Sequence, residues 1–337
     1  MTVVTVFLRG GADGLNLVVP HGDPDYLALR PTIGIADSLD LDGFFGLHPA
    51  LAPVMPIWEA GELAVIHAAG SDDTTRSHFE AQPHMERGGD TTGWLGRMVA
   101  VPGGLAAVAI GAAVPESLRG FPAAALRTVA EHTIDDADFR QALAALYRAG
   151  DSDLERAGRE TLEQLGRLEQ IASPDPGDGF PEQWPDLREV AGLINANCGL
   201  QVAAVDLGGW DTHILQGPLL EERAATLAAG LAAFRAAVGP DVVVVVMTEF
   251  GRRAYENGAL GTDHGRAGVM LVMGGAVRGG VHTDWPGLKR SDDMDAHDLR
   301  VTTDYRDVLA EVALAAGRPH LSRIFPGFRP RLRGVMR

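Results

Sequence analysis

Cysteine is almost missing from this chain: Cys198 is the only one among 337 residues. One thiol cannot close an intramolecular disulfide or build a cysteine metal cluster within a chain, and a small buried thiol is its simplest reading. Positive charge is also scarce, with 29 Lys and Arg against 45 Asp and Glu, a formal net charge of −16. Phosphate backbones and anionic membranes need clustered basic side chains, so this balance argues against either as the main partner. No stretch approaches the roughly 18 consecutive apolar residues of a membrane span. The start, MTVVTVFLRGG, has neither a basic region nor a cleavable apolar core. The expected location is the cytoplasm, or outside it if a leader precedes this sequence.

What is present centres on Val242 to Gly268, VVVVVMTEFGRRAYENGALGTDHGRAG. An unbroken β-branched run predicts a strand buried on both faces, and such strands lie in mostly parallel sheets covered by helices. Ligand sites in that architecture lie beyond the carboxyl ends of the strands. Glu249 follows such an end, and Asp263 and His264 follow a glycine-containing loop that can fold back to it. Carboxylate plus imidazole is a common ligand set for divalent metals.

Other strand ends repeat the pattern. Val3 to Leu8 runs into a glycine-rich turn carrying Asp13, as ligand or as cap. Leu63 to Ala69 precedes a loop with Thr74, Thr75, Arg76 and Ser77, where Ser77 and Glu80 have capping-box spacing. A hydroxyl at that helix start is either a cap or a nucleophile facing an anionic group, with Arg76 beside it to hold an oxygen. Leu200 to Leu207 leads to Asp211 and His213, which point to one side in an extended segment. Helices are expected over 134–168, 187–197 and 218–238, and a Pro- and acid-rich surface loop over 173–186. The TDYRD segment at 303–307 starts a last helix, with Asp304 as its cap.

The motifs RGGADGLN, RSHFEAQ, GGWDTH, MTEFGR, GTDHG and TDYRDVLAEV, from residue 9 to about 316, together resemble the bacterial domain of unknown function (DUF) 1501 family. That family is in turn similar to the alkaline phosphatase and sulfatase superfamily. The resemblance implies one alkaline-phosphatase-like α/β domain over 1–337, a three-layer αβα sandwich with a mostly parallel sheet. A cap or insertion is expected at about 112–190. It also implies two divalent ions, of which Zn, Mn, Mg and Ca are not distinguished. Asp13, Asp211, His213, Glu249, Asp263 and His264 would be the ligands. Phe250 stands where the superfamily has a His or Asn ligand, and no Cys-x-Pro-x-Arg stretch provides a formylglycine.

The resulting expectation is a metal-dependent hydrolase or transferase acting on a small phosphate or sulfate ester. Ser77, or else Thr74 or Thr75, would be the nucleophile, and Arg76 or Arg252 would balance charge on the ester oxygens. The alternative is a non-catalytic binding protein, or a subunit that works with a partner protein or a second copy of itself.

Overall fold

The valine run forms the strand its composition predicts, with Val242 to Met247 buried throughout. A computed structural model describes residues 1–101, 103–132, 134–171, 177–289 and 298–337. The central sheet holds β1 (Thr2–Leu8), β2 (Leu63–Gly70), β3 (Ala107–Ile110), β4 (Ala124–Leu126), β5 (Val202–Leu207), β6 (Val242–Met247), β7 (Gly268–Met273), β8 (Gly280–Val281) and β9 (Thr303–Asp304). Their order is β8-β2-β7-β6-β1-β5-β3-β4, with β9 beside β2. All pairings are parallel except those of β7, which is antiparallel to both β2 and β6.

Side chains alternate between faces along each strand. Val4, Val6, Val244 and Val246 join one hydrophobic cluster, while Val3, Phe7, Val243 and Val245 join another. The longer helices are α1 (His78–Arg87), α2 (Ala137–Arg148), α3 (Asp153–Gln170), α4 (Asp186–Asn195), α5 (Gln216–Ala237) and α6 (Tyr305–Ala315). Helices α4 and α5 supply Leu187, Val190, Leu227 and Leu231 to the first cluster. Helices α1 and α6 supply Met85, Val308 and Val312 to the second. The molecule is therefore an α/β sandwich with a helical layer on each face of the sheet.

Some local outcomes differ from the sequence expectations. The helical stretch over 134–168 is two helices, because the chain turns at residues 149–152 and a capping box of Ser152 with Glu155 starts α3. Within 112–190, strand β4 is an edge of the central sheet, and Leu165 and Leu168 of α3 are buried. Residues 173–176 of the expected loop lie outside the described residues; 177–185 has no helix or strand. Among the described residues no helix is long and apolar enough to cross a membrane.

The sheet's direction explains where the polar motifs meet. Strands β1, β2, β5 and β6 end on one edge, and the reversed strand β7 begins there at Gly268. Residues before β7 thus reach the same edge as residues after β6. Backbone bonds from Gly251 N to Arg266 O, from Arg253 N to Asp263 O and from Gly265 N to Gly251 O zip the two segments together. The approach is so close that a Cβ on Gly251 would lie 1.8 Å from the Ala267 carbonyl oxygen, leaving glycine as the one residue that fits.

Candidate metal centre

Three imidazoles and one carboxylate converge at this edge. Asp211 follows β5, with 47% of its side chain exposed. Its Oδ1 lies 3.0 Å from Nε2 of His264 and 3.0 Å from Nε2 of His213, and its Oδ2 lies 3.5 Å from Nε2 of His78. The Nε2 atoms of His213 and His264 are themselves 3.0 Å apart. His78, Asp211 and His264 each offer a donor atom within 4.8 Å of the others, a possible metal-binding triad. Atoms bound about 2.0–2.2 Å from one ion sit about 3.0–3.5 Å apart at right-angled to tetrahedral angles, so the spacing suits a single cation.

The opposite nitrogen of each ring faces an acceptor. His78 Nδ1 is 2.7 Å from Glu249 Oε1, His213 Nδ1 is 3.3 Å from Asp263 Oδ1, and His264 Nδ1 is 2.9 Å from the Arg76 carbonyl oxygen. Acceptors require a proton on Nδ1, and each ring turns its Nε2 toward Asp211. His78 Nε2 is buried and makes no hydrogen bond. His264 sets Nδ1 on the Arg76 carbonyl and Nε2 3.0 Å from Asp211 Oδ1, and burial lowers its pKa despite the nearby Asp211.

Glu249 follows the end of β6 as expected, but its carboxylate is occupied by hydrogen-bond donors. Its side chain is closed from solvent, and its Oε1 receives His78, the Gln82 amide at 2.8 Å and the Gly10 N–H at 2.9 Å. Its Oε2 lies 2.9 Å from the Thr248 hydroxyl. Burial opposes its charge, but bonds from His78 and Gln82 outweigh it and hold the carboxyl at about 2. The same hydrogen bond to Glu249 raises the pKa of His78 against the effect of burial. Glu249 thereby orients a histidine that has a ligand's geometry.

Asp13 is fully buried and faces Arg30, whose NH1 and NH2 lie 2.6 and 3.0 Å from its two oxygens. It also accepts from Gln216 at 2.5 Å and from Leu15 N at 3.2 Å, so it is a neutralised helix cap. Arg252 is 1% exposed. Its guanidinium is spent on the carbonyls of Gly10, Gly11, Trp210 and Thr262 and on Asp211 Oδ1 at 2.7 Å. It holds Asp211 and does not present its fork to a ligand. Burial opposes the charge of Asp211, yet hydrogen bonds from His264 and Arg252 keep it at about 2. Arg76 pairs with Asp298 and contributes its carbonyl to His264.

Ser77 is the N-cap residue of α1 but makes no side-chain capping bond, so the capping box expected with Glu80 is not formed. Thr75 bonds Asp73, and Thr74 is exposed. Asp263 is held down by its bond from Asn257. Phe250 walls the group, its ring 4.9 Å from that of His78 and 4.7 Å from that of His264. A Cβ on Gly11, where φ is +65°, would come within 2.5 Å of this ring, so a glycine makes room for the wall.

His78 and Gln82 are the residues that sequence reasoning missed. Their signal was the polar row His78, Gln82, Glu86, spaced by one helical turn on one face of α1. Its last member, Glu86, pairs with Arg9 at the end of β1.

Residues 187–316 match the model of a family described as a protein of unknown function, DUF1501. That span holds Asp211, His213, Glu249, Arg252, Asp263 and His264 but not His78, and over it the chain is similar to this family. No curated protein matches the chain. Among solved structures, the PH0037 protein from Pyrococcus horikoshii aligns at 10% identity with a TM-score of 0.37, over 95% of this chain and 97% of that one.

Proposed function

We propose that the protein is a metal-dependent hydrolase acting on a small anionic ester, with one divalent ion held by His78, His264 and Asp211 and with His213 beside them. The observation that carries the reading is the three histidines, each with Nδ1 on an acceptor and Nε2 turned toward Asp211. Imidazole-rich donors favour zinc, manganese, iron or another transition ion over magnesium or calcium, which prefer all-oxygen sets. A second ion has less support, since Asp13 is paired with Arg30 and the Glu249 oxygens are occupied by hydrogen-bond donors.

When bound, such an ion supplies Lewis-acid polarisation of an ester oxygen and local positive charge in an acidic protein. The chain's own residues do the remainder. Glu249, Asp263 and the Arg76 carbonyl keep the Nδ1 protons of the three rings, Arg252 anchors Asp211, and Phe250 shields one side. Ser77, beside His78 and not used for capping, is the nucleophile candidate. A kinship with the alkaline phosphatase and sulfatase superfamily belongs to the same proposal. It is supported by a mostly parallel sheet with polar groups gathered at its carboxyl edge.

The commitment of Arg76 and Arg252 to other partners favours a second reading, a metal-binding protein without turnover. Metal analysis combined with hydrolysis of nitrophenyl phosphate and sulfate separates the two. One equivalent of ion, lost in His78→Ala and His264→Ala, with turnover that falls at least about 100-fold in Ser77→Ala, supports the hydrolase. Bound ion without turnover of either ester leaves the binding protein, and absence of any ion ends both.

A further inference from the structure

Two buried threonines beside the proposed ligands donate to a single oxygen. Thr212, between Asp211 and His213, places its hydroxyl 3.0 Å from Gln216 Oε1. Thr262, just before Asp263 and His264, places its hydroxyl 2.6 Å from the same atom. Gln216 is fully buried, and its amide nitrogen donates to Asp13, whose charge is balanced by Arg30. One side-chain amide therefore joins the turns that follow β1 and β5 to the turn that precedes β7.

The backbone supports the same joint. Gln216 N donates to Leu260 O at 2.8 Å, and Leu215 N donates to Ala259 O at 3.0 Å. Leu215 and Leu260 both hold left-handed conformations, with φ of +49° and +59°. Such backbone is costly for a leucine and persists where surroundings enforce it.

We infer that Gln216 is a positioning residue that sets the separation between the Asp211–His213 pair and His264; this rests on the metal reading above. Chemically the position demands an acceptor for two hydroxyls and a donor to a carboxylate at once, which only a primary amide offers. A glutamate would set its charge against Asp13, and an apolar side chain would leave both hydroxyls buried without an acceptor. Partners of this kind, behind the ligands, typically govern about 10–100-fold in metal affinity.

The test is titration of the full-length protein with Co²⁺, read by calorimetry and by the visible spectrum of the bound ion. Thr262→Val keeps shape and removes the hydroxyl; Thr262→Ser keeps the hydroxyl; Gln216→Met removes the amide. The expected result is at least about tenfold weaker binding and a shifted spectrum for Thr262→Val and Gln216→Met, with Thr262→Ser close to the parent. Thr262→Val, being nearly isosteric, decides the matter if Gln216→Met does not fold. Parent-like affinity and spectrum in Thr262→Val overturn the positioning role while leaving the metal reading intact. Failure of the parent to bind Co²⁺ overturns both.

Discussion

His78 Nδ1 and Glu249 Oε1 lie 2.7 Å apart, joining the first residue of α1 to the buried acid that follows β6. The acid reaches no solvent and receives three donors on that one oxygen. Any effect on an ion at this site would pass through the imidazole. Glu249→Gln, which removes charge and keeps size, is expected to weaken metal binding about 10–100-fold, measured by competition with a chromogenic chelator. Unchanged affinity would show that His78 needs no carboxylate behind it.

Ser77 and Asp304 make a matched pair for testing caps. Asp304 accepts from Arg306 N at 2.9 Å, whereas Ser77 makes no capping bond. Asp304→Ala should cost about 1 kcal/mol and Ser77→Ala less than about 0.5 kcal/mol by chemical denaturation. A Ser77→Ala loss as large as that of Asp304→Ala would mean that the hydroxyl is structural.

The buried Asp13–Arg30 pair is a stability element. Both side chains are fully enclosed, so Arg30→Met leaves a carboxylate uncompensated, at a cost of about 3–5 kcal/mol. Urea unfolding midpoints measure this. A shift within error of the parent would return Asp13 to consideration as a ligand.

His67 makes folding sensitive to mild acid. It is fully buried, with Nε2 donating to Val18 O and Nδ1 accepting from Ala68 N, and burial lowers its pKa to about 4. The unfolded ring titrates near 6.5, so it takes up a proton before the folded ring does. Its contribution is complete above pH about 6.5 and is lost as pH falls toward about 4, on the order of 3 kcal/mol. His67→Gln should flatten that part of the stability–pH curve. An identical slope in the variant would assign the effect to other groups.

Much of this was legible in the sequence because burial leaves a pattern. The valine strand and the apolar runs at 63–69 and 200–207 carry that pattern, and α5 is rich in Ala and Leu and buries Leu220, Ala224, Leu227 and Leu231 at helical spacing. Asp211, His213, Asp263 and His264 were legible because they follow strands or fold back on one. Strand β4 has three residues and no periodicity to display. Asp13 and Arg252 are engaged by partners that the sequence does not display. A charge at a strand end is equally suited to an ion and to a buried counter-charge, and Arg30, the partner of Asp13, lies in a stretch with no pattern. Glu249 has the place of a ligand and the surroundings of a supporting acid, a distinction that only three-dimensional partners make.

Binding should also appear as stability. An ion at 100 times its Kd stabilises the folded state by about 2.7 kcal/mol, a rise of a few degrees in Tm for a protein of this size. Thermal unfolding of chelator-treated protein with and without Zn²⁺ or Mn²⁺ measures the rise. It should vanish in Asp211→Asn paired with His264→Ala; persistence there would place the ion elsewhere.

Anomalous diffraction at the zinc edge from crystals grown with Zn²⁺ tests the central claim most directly. The account predicts one strong peak about 2.0–2.2 Å from Nε2 of His78 and His264 and from an oxygen of Asp211, with Glu249 behind His78. No peak among these groups, or a peak bound by Asp13 or Glu249, would contradict it.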